Sequence, residues 1–191
     1  MPRAGLLKEA RLAFVIVATC LIGSLCSPCA GRAADLPEKG KTLPDFTLQA
    51  PAIEKDREYL GLGAGPFKLQ DIQAQLLIVE IIGVYCPLCH QQAPLFNKLV
   101  ERIDKKSLSS KVKLLAVAAG GNPIEIDHLR TNGVYEYPIV PDESFVVHKL
   151  LGQPRTPYTL ILDKSGKVLD AHLGVLEDMD SYFEKIQGLL S

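Results

Sequence analysis

Cys86-Pro87-Leu88-Cys89 is the segment of this 191-residue chain whose residue types and spacing bear most directly on chemistry. A spacing of three puts both sulfurs on one side of a first helical turn, close enough for a disulfide with little backbone movement. At a helix start, unpaired N–H groups and the positive end of the dipole favour a thiolate at Cys86. Cys86 is then the attacking sulfur, and Cys89, one turn further in, is placed to resolve a mixed disulfide. Extended by one residue, Cys86-Pro87-Leu88-Cys89-His90 also spells the attachment motif of c-type haem. A haem needs an apolar pocket and a second axial ligand. The candidates for that ligand, His128, His148, His172 and Met179, stand in no telling context. Zinc would need two more ligands, and no His pair or second cysteine pair offers them. Thiol chemistry without a metal or an organic cofactor is the preferred reading, with His90 as an exposed first-turn residue.

The surroundings of the other cysteines bear on the compartment. Cys20, Cys26 and Cys29 fall in a leader in which Arg3, Lys8 and Arg11 precede an apolar run from Leu12 to Leu25, followed by Ala30, Ala33 and Ala34. That is the build of a secretory signal, and the run is shorter than the ~20 residues of a spanning helix. Cleavage at Ala34, behind Gly31 and Ala33, is preferred over an uncleaved anchor extended to Cys29. Lipidation is disfavoured, because Thr19, Leu25 and Pro28 precede the three cysteines. Residues 1–33 hold four basic residues and one acidic, so their removal takes the chain from 21 basic and 22 acidic residues to 17 and 21, a formal charge of −4. Nothing in that balance suits nucleic acid. A mature protein holding only Cys86 and Cys89 in an oxidising compartment has a redox pair rather than a staple. The expected location is periplasmic or otherwise extracytoplasmic, with association to the cytoplasmic membrane if the leader stays.

The elements that must position this pair can be read from periodicity. Residues 1–34 are the leader, 35–43 a Pro-, Gly- and Lys-containing linker, and 44–191 one domain. Asp45 to Leu48 and Phe67 to Leu69 look like two short strands of a hairpin, separated by a Gly-rich stretch from Gly61 to Gly65. Leu76 to Ile82 is almost continuously apolar and rich in β-branched residues, which suits a central strand covered on both faces. From Cys89 to about Asp104 the recurrence of Leu95, Phe96, Leu99, Val100 and Ile103 predicts an amphipathic helix. The cysteines thus sit where a strand hands over to a helix. Val112 to Ala118 is a second buried strand, Ile124 to Asn132 a helix, Tyr137 to Val140 a short extended piece, and Glu143 to Leu150 a further helical turn or two. Thr159 to Leu162 and Val168 to His172 flank Asp163-Lys164-Ser165-Gly166 as a hairpin, and a closing helix runs from about Met179 to Leu190. This order describes an α/β fold, a mixed sheet with helices on both faces. Glu80 interrupts the most apolar strand, and a carboxylate taken out of water is costly unless neutralised or paired. Either it has a task, or it is a strand-end residue reaching solvent or a lysine such as Lys113.

Over roughly residues 43 to 190 the chain resembles the thioredoxin-like superfamily, and within it the exported TlpA/ResA-like proteins. The resemblance rests on the Cys86–Cys89 pair after a buried strand, on Pro94 five residues past Cys89, and on Pro157 in Arg155-Thr156-Pro157-Tyr158 before a strand. It implies a thioredoxin-like fold and thiol-disulfide oxidoreductase activity toward cysteines of other exported proteins, with a redox partner that recycles the pair. It implies a cis Thr156–Pro157 bond beside the cysteines, with Thr156 and Tyr85 facing the substrate, and a proton-relaying role for Glu80, six residues before Cys86. Tyr85 stands where these relatives usually have Trp, and Tyr85-Cys86-Pro87 is reminiscent of the oxidising DsbA-like proteins, so the direction of electron flow stays open. Peroxiredoxins share the fold, but their Pro-x-x-x-Thr-x-x-Cys pattern would need Pro and Thr where Val79 and Gly83 stand. A copper chaperone of the Sco type would want a wider cysteine spacing and a ligating histidine.

Overall fold

Strand β1, Leu76–Ile82, is buried at every residue and forms the axis of the molecule. The computed structural model describes residues 35–191, so the leader expectation falls outside the described residues. Parallel to β1 run β2, Val112–Ala119, and beyond it β3, Ile139–Asp142. On the other side β4, Tyr158–Asp163, and β5, Val168–Leu173, are antiparallel. The order is β3-β2-β1-β4-β5. A central strand with parallel and antiparallel neighbours and both faces covered explains the unbroken apolar run read from the sequence.

Because side chains alternate along a strand, β1 serves two cores. Leu77, Val79 and Ile81 face a layer built from Leu60, Phe67, Val147 and Leu151. Leu76, Ile78 and Ile82 face Phe96, Leu99, Tyr137 and Phe183. Glu80 belongs to the second face by register.

Helix α1, Glu54–Leu60, and a short 3-10 turn at Leu69–Asp71 precede β1. The main helix α2, Pro87–Lys105, follows it and contains Pro94. Helix α3, Pro123–Thr131, starts on a capping box in which Asn122 accepts the N–H groups of Ile124 and Glu125 while Glu125 accepts that of Asn122. Helix α4 spans Val146–Leu150 and α5 spans Met179–Leu189. The β4–β5 turn closes as predicted, with the Asp163 carboxylate accepting the N–H groups of Ser165 and Lys167 and Gly166 taking a φ of 81°.

Three expectations change. The hairpin of residues 45–48 and 67–69 is a single antiparallel bridge, Leu48 to Phe67, because α1 lies between the two segments and Leu69 enters the 3-10 turn. Sequence periodicity missed α1, whose seven residues are too few to display a helical stripe. The residues expected as a linker are part of the domain. Gly40 and Leu43 donate to Val168 and Gly166, the Tyr158 hydroxyl donates to the Pro37 carbonyl, and Leu43 is buried. Backbone pairing along the edge strand β5 holds a segment whose composition is polar.

Candidate active site

The carboxyl ends of the parallel strands and the start of β4 meet at one end of the sheet, where an α/β fold gathers its functional loops. Gly83 to Tyr85 turn out of β1, with the Cys86 N–H donating to the Gly83 carbonyl at 3.1 Å. Gly83 packs closely there: a Cβ would stand 3.3 Å from the Cys86 Cβ and 3.4 Å from the Thr156 Oγ1. Cys86 is the N-cap of α2, and Pro87 fills the first helical position, where its missing N–H costs nothing. The Cys86 sulfur accepts the Cys89 N–H at 3.2 Å and donates to the Thr156 carbonyl at 3.5 Å.

Both cysteines are reduced, Cys86 half-buried and Cys89 buried. Partial burial pushes the Cys86 thiol up, but hydrogen bonds with Cys89, with Thr156 and with the N–H groups of Cys89 and Leu88 outweigh it, and the net direction is down. Burial, followed by the hydrogen bond with Cys86, pushes the Cys89 thiol up to about 12. The first sulfur is therefore the ionisable one and the second is held as a thiol.

The Thr156–Pro157 bond is cis. Pro157 is buried, and Thr156 lies against Cys86 through its carbonyl. Tyr85 is 82% exposed and its hydroxyl donates to the Glu125 Oε1 at 2.6 Å, joining the residue before Cys86 to the capping box of α3. Leu88, Ile124, Phe145 and Leu173 are further exposed apolar side chains. Ile124 adjoins Glu125, the Phe145 ring covers Gly120 just past β2, and Leu173 pairs with Tyr158 beside Pro157, so all share this end of the sheet.

Glu80 is fully buried, and it reaches neither solvent nor Lys113. Its Oε1 accepts from the Gln92 amide at 2.7 Å and its Oε2 from the Tyr137 hydroxyl at 2.7 Å. Burial raises its pKa to about 7 against the opposing effect of the Tyr137 and Gln92 hydrogen bonds. No hydrogen bond joins it to either cysteine among the described residues; its partner Gln92 stands one turn past Cys89 on the same buried face of α2. Sequence reading missed Gln92 and Tyr137. Gln92 stands on the helix stripe that also buries Cys89, Ala93 and Phe96, a polar residue at a core position, and that break in the pattern was the available signal.

His90 is exposed and its Nε2 lies 2.8 Å from the Val84 carbonyl. The Nε2 atoms of His148 and His172 lie 3.0 and 3.3 Å from the carbonyls of Pro154 and Val175, and His128 meets Asn132, so none of the three is gathered to His90. Among the described residues no group of three His, Cys, Asp or Glu side chains could hold a metal ion.

The model of the AhpC/TSA family matches residues 39–171. Among curated proteins, the thiol-disulfide oxidoreductase ResA of Geobacillus thermodenitrificans is 27% identical over 150 residues, 78% of each chain. Among solved structures, a Chlorobium tepidum protein assigned as the thiol:disulfide interchange protein DsbE superposes with a TM-score of 0.64 at 21% identity, covering 81% of this chain and 99% of that one. Mycobacterium tuberculosis AhpC has the same fold at 14% identity, with a TM-score of 0.59 and 82% and 99% of the two chains covered.

Proposed function

The chain belongs to the AhpC/TSA family and is a thiol-disulfide oxidoreductase of thioredoxin-like fold, and we propose that it works outside the cytoplasmic membrane on cysteines of other exported proteins. The asymmetry of the two sulfurs carries this reading: a partly exposed, hydrogen-bonded Cys86 favoured as thiolate above a buried Cys89 held as thiol. The Cys86 thiolate attacks a partner disulfide, forming a mixed disulfide and releasing one partner sulfur with the electron pair. Cys89 loses its proton and attacks the Cys86 sulfur, so the Cys86–Cys89 bond forms and the second partner sulfur leaves. The partner is reduced by two electrons and the pair oxidised; run backwards, the same steps oxidise a partner dithiol. A redox partner of matching chemistry recycles the pair.

The apolar rim of Tyr85, Leu88, Ile124, Phe145 and Leu173 suits a protein substrate, since exposed apolar clusters mark surfaces that bind. Thr156 and Pro157 form the wall beside Cys86. The leader at residues 1–34 supports export, and among the described residues no helix is long and apolar enough to cross a membrane.

Peroxidase activity is the second reading, favoured by the family match. Against it, Val79 and Gly83 stand where the Pro and Thr of the peroxidatic pattern would be. Haem attachment requires both sulfurs to be reached by a bulky ring, and Cys89 is wholly covered.

The test is the Cys89→Ala variant, taken from acid-quenched cells onto a non-reducing gel. Attack by Cys86 survives in this variant and the escape route is gone, so partner proteins collect on Cys86 as reductant-sensitive bands that vanish when Cys86 is also replaced. Their absence, together with peroxide consumption or a covalently bound haem in the wild-type chain, overturns the proposal.

A further inference from the structure

Among the described residues three that carry a side chain have a left-handed backbone, and two of them bracket α4: Phe145 just before it and Gln153 just after it, each at a φ of 56°. That conformation is uncommon for residues with a Cβ, and such outliers gather where a chain is held for a purpose. The Phe145 ring lies over Gly120, where a Cβ would fall 2.2 Å from its tip, and it meets the His148 ring edge-on at 5.7 Å. The two oxygens of the buried Asp142 accept the N–H groups of Val147 at 3.1 Å and His148 at 2.9 Å. His148 is thus fixed through both its backbone and its ring.

His148 in turn holds the loop that carries Thr156 and Pro157. Its carbonyl accepts the Gln153 N–H at 2.9 Å, and its Nε2 lies 3.0 Å from the carbonyl of the buried Pro154. A carbonyl only accepts, so Nε2 carries a proton there and donates it. Two residues further on, the loop meets the active site, where the Cys86 sulfur donates to the Thr156 carbonyl at 3.5 Å. That bond needs the Cys86 S–H. The donor is gone from the thiolate, from a mixed disulfide and from the Cys86–Cys89 disulfide, whereas the bond from His148 to Pro154 does not depend on the state of the sulfurs.

We propose that His148 is a positioning residue for disulfide exchange: through the Pro154 carbonyl it keeps the loop of Thr156 and Pro157 in place once Cys86 has given up its proton, so that a protein substrate meets a fixed wall. The proposal rests on the exchange reading above. Release of the Thr156 carbonyl by Cys86 and retention of the loop by His148 are separate events, because they involve different atoms of the loop. A small disulfide needs only the Cys86 sulfur and is indifferent to the wall. A protein disulfide brings flanking backbone against the loop, so its capture, rather than the chemical step, carries the dependence on His148.

The experiment follows reduction of insulin disulfides by the full chain, recycled with dithiothreitol, beside single-turnover attack of the reduced chain on dithiobis(nitrobenzoate). In His148→Ala the KM for insulin rises about fivefold, the order of one lost hydrogen bond, while kcat and the attack on the small disulfide stay within about twofold of wild type. His148→Gln, whose amide N–H can reach the same carbonyl, restores the wild-type KM. Trypsin supplies a second reading, because Arg155 is exposed and cleavage after it requires the loop to open. Oxidising the cysteine pair removes the Cys86 donor, so it speeds this cleavage about fivefold in His148→Ala and leaves it unchanged in wild type and in His148→Gln. A general loosening of the fold would speed cleavage equally in both redox states. A fall in kcat with KM unchanged, failure of His148→Gln to restore KM, or cleavage of His148→Ala that ignores the redox state overturns the proposal. Failure of the wild-type chain to attack dithiobis(nitrobenzoate) would instead overturn the exchange reading itself.

Discussion

The two faces of strand β1 are built from the same seven residues and do different work. Leu77, Val79 and Ile81 bury themselves among aliphatic and aromatic side chains, with no titratable group of β1 among them. On the opposite face Ile78 and Ile82 flank Glu80, and the surrounding core admits Gln92, Thr159, Tyr135 and Tyr137. One face contributes stability that does not depend on pH; the other holds a carboxyl whose burial costs the fold something whenever it is ionised. The difference teaches where this molecule spends stability, and it spends it on the side that packs against the cysteine helix.

The comparison breaks or sharpens on three substitutions. Leu60→Ala, on the plain face and fully buried, should lower stability by about 2–5 kcal/mol through lost burial and a cavity. Urea unfolding should show the same loss at every pH, with thiol release per folded molecule unchanged. A pH-dependent loss would mean that this face is not electrostatically silent.

Glu80→Gln probes the other face. In the fold Glu80 keeps its proton up to about pH 7, whereas in the unfolded chain it releases it near ~4.3. Between those values the native state holds more protons than the unfolded one, so stability falls as pH rises, by on the order of 3 kcal/mol in total. Glutamine cannot ionise, and it can still accept from Gln92 and donate to Tyr137. Relative to wild type, the variant should therefore gain stability progressively from acid to about pH 8, while resolution of mixed disulfides slows and the first attack does not. Parallel stability curves, or equal slowing of both steps, would remove Glu80 from the role given to it.

The smallest effect belongs to Tyr85→Phe, at the exposed rim rather than on either core face. The hydrogen bond from Tyr85, followed by that from the Asn122 N–H, lowers the Glu125 pKa. Without the hydroxyl, the Glu125 carboxyl should titrate higher in an NMR pH series while the unfolding midpoint holds. A Glu125 titration that does not move would show that the clasp is not populated in solution.

Local pattern revealed most of the frame. The β-branched run of β1, the Cys-Pro start of α2, the stripe of Phe96, Leu99 and Ile103, and the Asp163–Gly166 turn are each decided by residues near one another in sequence, and the structure agrees within a residue or two. The cysteine pair was legible for the same reason. Glu80 was legible as an anomaly, but its partners were not. Tyr137 lies 57 residues away and Gln92 twelve, and only the strand register and the helix phase bring them together. Segment 37–43 failed for the opposite reason: its composition reads as linker, while backbone hydrogen bonds to β5, which composition does not encode, hold it in place.

The central position of β1 has one more consequence, for hydrogen exchange. Flanked by β2 and β4 and buried along its whole length, β1 has amides that open only when the fold does, because such strands sit at the global end of the opening hierarchy. Glu80 therefore gains no access to bulk solvent through breathing of its own strand. Its carboxyl exchanges protons with the medium through motion of the side chains packed over it, Gln92 and Tyr137 first, and not through opening of its own strand.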